Sequence, residues 1–165
     1  NLSEEDYYVG VRSKLMGQVN LVRLGLEYLK KGGSITLSTG ILADDPVVLT
    51  ASAAMVNGGI HSFVKAAALE LDHGHRLNVV SSGMVEDAYE RYKDFFPGHN
   101  PIPMDKVING YVRSVNGKGS GEIIRIYNWY TKTKNIILVD FVGKNGVVCS
   151  FVEGKYASCR KGAKK

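Results

Sequence analysis

The chain has 165 residues, enough for one domain with a sizeable core. Its 44% hydrophobic and 22% charged content is that of a globular protein, and no run approaches the roughly 18–20 apolar residues of a membrane span. The net charge of +5 is uneven: residues 128–165 hold eight Lys/Arg against two acids, while the rest is nearly neutral, so the excess reads as a basic, solubilising end.

Ser3-Glu4-Glu5-Asp6 predicts a helix start, with a hydroxyl cap and acids at the positive end of the helix dipole. Val11, Leu15, Val19, Val22, Leu26 and Leu29 continue it at spacings of three and four, and Lys30-Lys31-Gly32-Gly33 closes it. Ser34 to Ser38 predicts a buried strand, and Gly40 to Thr50 a loop with a turn at Asp44-Asp45-Pro46. A second helix is expected over 52–71, unusually rich in Ala and Gly and therefore buried on more than one side. Leu77 to Val80 is the next strand, and a short helix spans 86–94. A third helix follows Pro103, with Val107, Ile108, Tyr111, Val112 and Val115 on one face. Glu122 to Tyr127 is a further strand. Helices alternating with short strands predict an α/β fold, a parallel sheet with covering helices.

After Tyr127 the character changes. Residues 135–142 and 147–152 read as two strands around Lys144-Asn145-Gly146, a hairpin signal. They are expected to cover a sheet edge, with 157–165 as a loose basic end. The expected division is therefore 1–127 and 128–165. Cys149 and Cys159 form no framework and no CxxC pair, so a reduced, cytoplasmic setting is expected. His73-Gly74-His75 lacks a third ligand, so no metal is expected.

Several landmarks occur in a telling order: Lys14-Leu15-Met16-Gly17, Gly32-Gly33-Ser34-Ile35, Phe63 to Leu71 (FVKAAALEL), Arg76 to Gly83 (RLNVVSSG) and Gly121-Glu122. With them, residues 2–127 resemble the C-terminal half of a short-chain dehydrogenase/reductase. More closely, they resemble an atypical subset of that family that carries A-S-A-A-x-x-N-G in place of the Tyr-x-x-x-Lys motif. The resemblance implies a partial Rossmann-like sheet, an NAD(P)-type oxidoreductase and a homodimer through the Ala53–Ala68 helix. It also implies cofactor contacts at Gly83, Met84 and Val85. The family's Tyr and Lys fall on Ala53 and Asn57, its helix asparagine on Lys14, and its serine on or beside Gly40, with Ser38 and Thr39 adjacent.

Lys14, Ser38, Thr39 and Asn57 are thus the candidate catalytic groups, a lysine near hydroxyls being able to relay a proton. The family's phosphate-cradling glycine turn has no counterpart among these residues, so NAD(P) is expected to bind weakly or not at all. Three readings stand beside each other. The chain is a dehydrogenase-like enzyme degenerate at its proton donor, a non-catalytic module that pairs with a second copy, or a nucleic-acid binder working through the basic aromatic tail.

Overall fold

The computed structural model describes residues 2–128, 141–142, 147–152 and 155–161. They fall in two compact units that divide between Trp129 and Tyr130.

In the first unit a long helical segment is built from α1 (Glu4–Gly10), a π turn (Val11–Leu15), α2 (Met16–Gly25) and a 3-10 turn (Leu26–Tyr28). The Ser3 hydroxyl accepts from the Asp6 amide and the Asp6 carboxylate accepts from the Ser3 amide, a full capping box. The segment ends at Tyr28, with Leu29 already extended and short of the expected Lys30–Gly33 close, and Gly32 takes φ +76° in the turn before β1, a left-handed conformation that favours glycine. Strand β1 (Ser34–Gly40) follows, then a 3-10 turn (Ile41–Ala43), α3 (Ala51–Ala67) and β2 (Arg76–Ser82). Next come α4 (Glu86–Tyr92), a 3-10 turn (Lys93–Phe95), α5 (Met104–Asn116) and β3 (Ile123–Ile126).

The three strands form one parallel sheet in the order β1-β2-β3, with Ser34 opposite Arg76 and Val79 opposite Ile123. The architecture is α/β and Rossmann-like, as the alternation of elements predicts. Strand alternation sends Leu37, Leu77 and Val79 to one face. There they pack with Val22, Val56, Ile60 and Val64 into the main core. The other face meets α5, where Thr36 shares a 2.7 Å hydroxyl pair with Ser114. Because the strands run in sequence order while α3 and α5 lie on opposite faces, the two crossovers have opposite hands, against the usual right-handed rule.

The edge of β1 is engaged by a side chain. Gln18 donates from Nε2 to the Ser38 carbonyl at 3.1 Å and accepts the Ser38 amide at 2.8 Å, as a neighbouring strand would. At the opposite, amino end of the sheet, Arg76 donates to the Ser114 and Val115 carbonyls at the end of α5, both at 2.8 Å. Asn78 is bound on both sides, donating to the Gly119 carbonyl at 2.9 Å and accepting the Glu122 amide at 3.0 Å.

Two expectations are corrected here. Val107 is buried on α5 beside Gly110 and Ser114, but Ile108, Val112 and Val115 lie on its exposed side. Small residues let the helix approach the sheet, and a Cβ at Gly110 would already touch Ile126 and Val80 at 3.2–3.3 Å. Within one chain α3 buries a single face, Val56, Asn57, Ile60, His61 and Val64, while Met55 and Ala66 are exposed.

The second unit holds β4 (Phe141–Val142), β5 (Val147–Val152) and β6 (Lys155–Lys161) in an antiparallel sheet of order β4-β5-β6. The pairing of β4 with β5 matches the expected hairpin over the residues described, and residues 135–140 lie outside them. The loose end is overturned for 158–161, which pair along β5 with Cys159 opposite Cys149.

Candidate functional site

Strands β1 and β2 stop side by side at Gly40 and Ser82, and their outgoing segments diverge to leave a crevice at the carboxyl ends, the usual ligand position in open α/β sheets. The floor is fixed by backbone bonds. Gly83 donates to the Ile126 carbonyl at 2.8 Å, Ile102 donates to Met84 at 2.8 Å, and Glu86 donates to Ile102 at 3.0 Å. Gly83 itself is set by packing, since a Cβ there would lie 2.9 Å from Ile102 Cδ1.

A cavity of about 220 Å³ lies over this floor, bordered by Gly40, Ser82, Gly83, Met84, Val85 and Phe96 among others. A second, of about 380 Å³, opens between residues 47–50 and the aromatic segment Tyr92 to Phe96, and shares Leu42, Met84 and Phe96 with the first. The two loops that wall it are tied by a 2.9 Å pair between His99 Nε2 and Asp45 Oδ2, with Phe96 packed edge-on against the His99 ring.

A polar network lies on the α3 face of the strand ends. Arg125 grips Asp44 with two bonds of 2.8 and 2.9 Å, and the Tyr127 hydroxyl donates to the same carboxylate while sharing a 2.7 Å contact with Ser81. The Arg125 bonds hold the Asp44 carboxyl at about 2, and burial with the Asp44 bond pushes the Tyr127 phenol up to about 12. Both therefore stay in one charge state near neutrality. Thr39 and His61 meet at 2.8 Å, and burial pushes the imidazole pKa below its ordinary value. This network pins the loop after β1 to β3 and so positions one wall of the crevice.

The four candidate catalytic residues do not converge. Thr39 faces α3 and its partner is His61, whereas Ser38 points to the other face and shares a 2.6 Å hydroxyl pair with Tyr111. Lys14 sits in the π turn, exposed as a residue, with its ammonium desolvated enough to lower its pKa. The hydrogen bonds of the described residues do not join it to Ser38, Thr39 or Asn57. Asn57 is 3% exposed and its Nδ2 reaches the Gly40 carbonyl at 3.5 Å. Its Oδ1 is buried with no partner. Ala53, one turn earlier on α3, is exposed.

The sequence reading takes His61 as a lone structural or exposed histidine and Asp44 as a turn residue, and gives no site role to them or to Arg125 and Tyr127. A signal existed for His61, which follows Asn57 by four residues and so shares its buried face. Among the described residues no three His, Cys, Asp or Glu side chains group as metal ligands, and no helix is long and apolar enough to cross a membrane.

No family model matches the chain, and no curated protein matches it. Among solved structures it is similar to the protein lin1944 from Listeria innocua, at 44% identity and a TM-score of 0.74 over 76% of this chain and 63% of that one. It is also similar to a small-chain dehydrogenase in complex with NADPH, at 25% identity and a TM-score of 0.67 over 77% of this chain and 64% of that one. A 3-hydroxyacyl-CoA dehydrogenase type-2 from Mycobacterium avium, at 20% identity and a TM-score of 0.64 over 76% of this chain and 56% of that one, shares the fold. The chain thus spans less than two thirds of each of these proteins, and its fold is that of short-chain dehydrogenases and reductases.

Proposed function

We propose that residues 2–127 form a short-chain dehydrogenase-like, NAD(P)-type unit that is degenerate at its proton donor. The observation that carries this reading is the crevice over Gly83 to Val85 at the carboxyl ends of the strands. Asn57, in the place of the family's lysine, is buried and lines neither cavity, so the backbone at 83–85 is what the chain offers a nicotinamide. A bound nicotinamide would supply or accept hydride.

The chain's own residues offer backbone at 83–85 and apolar walls. Ala53 has no proton to give to a developing alkoxide. The phosphates find no glycine turn among these residues, so affinity for the whole dinucleotide is low.

The test is NADPH titration of the chain with a ketone present. Expected are millimolar or weaker binding, amide shifts at Gly83–Val85, and no NADPH oxidation above background, since a missing general acid costs about 100- to 10,000-fold. Micromolar affinity, or turnover that survives Lys14→Ala and Ser38→Ala, overturns the reading.

A second reading is supported by the outward face of α3, where Met55 and Ala66 are exposed and Gly58 has open space at its Cβ position. Two copies pairing along this face form a dimer. Gly59 does not belong to that face, because its Cβ position meets Leu15 of the same chain at 3.4 Å. Met55→Arg is therefore the sharper probe, and it is expected to convert a dimer to monomer in light scattering. A monomer at all concentrations before mutation removes this reading.

A further inference from the structure

We propose that the larger cavity, between residues 47–50 and the Tyr92 to Phe96 segment, binds an uncharged apolar molecule and excludes carboxylates and ammonium ions. This names the ligand class for the crevice proposed above and rests on that reading for its place beside the nicotinamide end.

The first argument is the lining. Its volume of about 380 Å³ falls within the range of small-molecule sites. No lining side chain is charged, and only Thr50 and Tyr92 carry polar side-chain atoms. The Thr50 hydroxyl is engaged in its own turn, donating to the Val47 carbonyl at 2.6 Å and accepting the Val47 amide at 3.2 Å. A charged ligand would lose its hydration there without gaining a partner.

The second argument is the rim. Val48 is 72% exposed and Leu49 is 92% exposed, and Phe95 and Tyr92 are nearly half-exposed, all around one opening. Scattered exposed apolar residues need no explanation, but a group of them bordering a cavity marks a binding surface. Leu49 also holds φ +65°, a left-handed conformation unusual for leucine. Strain that keeps an apolar side chain out in water at a cavity mouth gains nothing for the empty fold, and a ligand that covers the side chain gives it a use.

The third argument is charge at the border. The neighbouring hollow, which shares Val47, Val48 and Phe95, carries Asp45 and Asp94, and these carboxylates repel an anionic ligand. Asp45 is already held by His99, and Asp94 lines the neighbouring hollow and not this cavity, so neither carboxylate offers a cation a partner inside it.

The test uses 1-tetralone, an uncharged bicyclic ketone, against 1-naphthoate and 1-naphthylmethylamine, which carry one carboxylate or one ammonium on a similar ring system. The readout is the methyl resonances of the chain's four methionines, with no nucleotide present, so that failure here is separable from failure of NADPH binding. Met84 is the methionine in the cavity wall. Its methyl is expected to shift on adding 1-tetralone while those of Met16, Met55 and Met104 do not. Both charged probes are expected to bind at least about tenfold more weakly.

Val48→Asp, at an exposed rim position that leaves the fold intact, is expected to weaken 1-tetralone at least about tenfold. Leu49→Gly is expected to raise the melting temperature and lower the affinity together. No Met84 shift up to about 1 mM, equal binding of a charged probe, or unchanged affinity in both variants overturns the proposal.

Discussion

The two ends of the sheet in the first unit are tied differently. At the amino end side chains and backbone join strands, helix and turn, although His75 Nε2 is buried without a partner and His73 holds φ +57° there. Arg76 closes the last carbonyls of α5, Asn78 holds both sides of the turn before β3, and Gly121 donates to the Leu77 carbonyl at 2.7 Å. At the carboxyl end the backbone is strained at Leu49, the buried Asn57 Oδ1 has no partner, and apolar side chains stand in solvent around an opening. What separates the ends is the network of ties at the amino end and the larger apolar opening at the carboxyl end, where a ligand can cover exposed side chains. The difference also explains why the residues that make the sequence look like a dehydrogenase say little about its chemistry. Arg76 and Asn78 lie at the amino end, away from the crevice over Gly83 to Val85.

The largest expected effect breaks the ties at the amino end. Asn78→Ala leaves the Gly119 carbonyl and the Glu122 amide without their partner, at a cost of about 2–3 kcal/mol. The denaturant midpoint should fall accordingly, while the relative binding of ligands at the other end stays as it was. A neutral Asn78→Ala would show that the amino end is not the structural anchor.

Acid should act on the carboxyl end in two steps. His61 has a lowered pKa in the folded chain, so below its ordinary value of 6.5 the unfolded chain takes the proton first and stability falls. Asp44 is depressed from 3.8 to about 2, so the stability from its Arg125 pair is whole above 3.8 and is lost as the pH falls towards 2. In chemical denaturation across pH, His61→Gln should erase the first step and Asp44→Asn the second. Loss of both steps in one variant would mean that the two pairs act as a single unit.

How far this was legible in the sequence depends on the residue. The hydroxyl cap at Ser3 and the start of β1 at Ser34 follow from local chemistry, and the structure has them, while the helix expected to close at Lys30–Gly33 ends at Tyr28. Faces were harder. Val107 and Ile108 both fit a helical period, and only the close approach at Gly110 decides which of them meets the sheet. Ser38 and Thr39 are adjacent in sequence and looked like one site, yet strand alternation puts them on opposite faces with Tyr111 and His61 as separate partners. The Asp44–Arg125 clamp joins residues 81 positions apart, which no local pattern announces.

The smallest expected effect concerns the strained rim. Leu49→Gly should stabilise the chain by about 1 kcal/mol, because glycine adopts φ +65° without the leucine penalty. A loss of stability would mean that the exposed Leu49 side chain packs in the empty protein and that its conformation is not stored strain.

The most direct measurement is an amide chemical-shift map of the whole sheet with NADPH and 1-tetralone added together. The account predicts changes at residues 40–50, 83–85 and 92–96, at the carboxyl ends of β1 and β2, and none at 76–78 or 117–122. Changes centred on the amino end, around Arg76 and Asn78, with the carboxyl end silent, would contradict it.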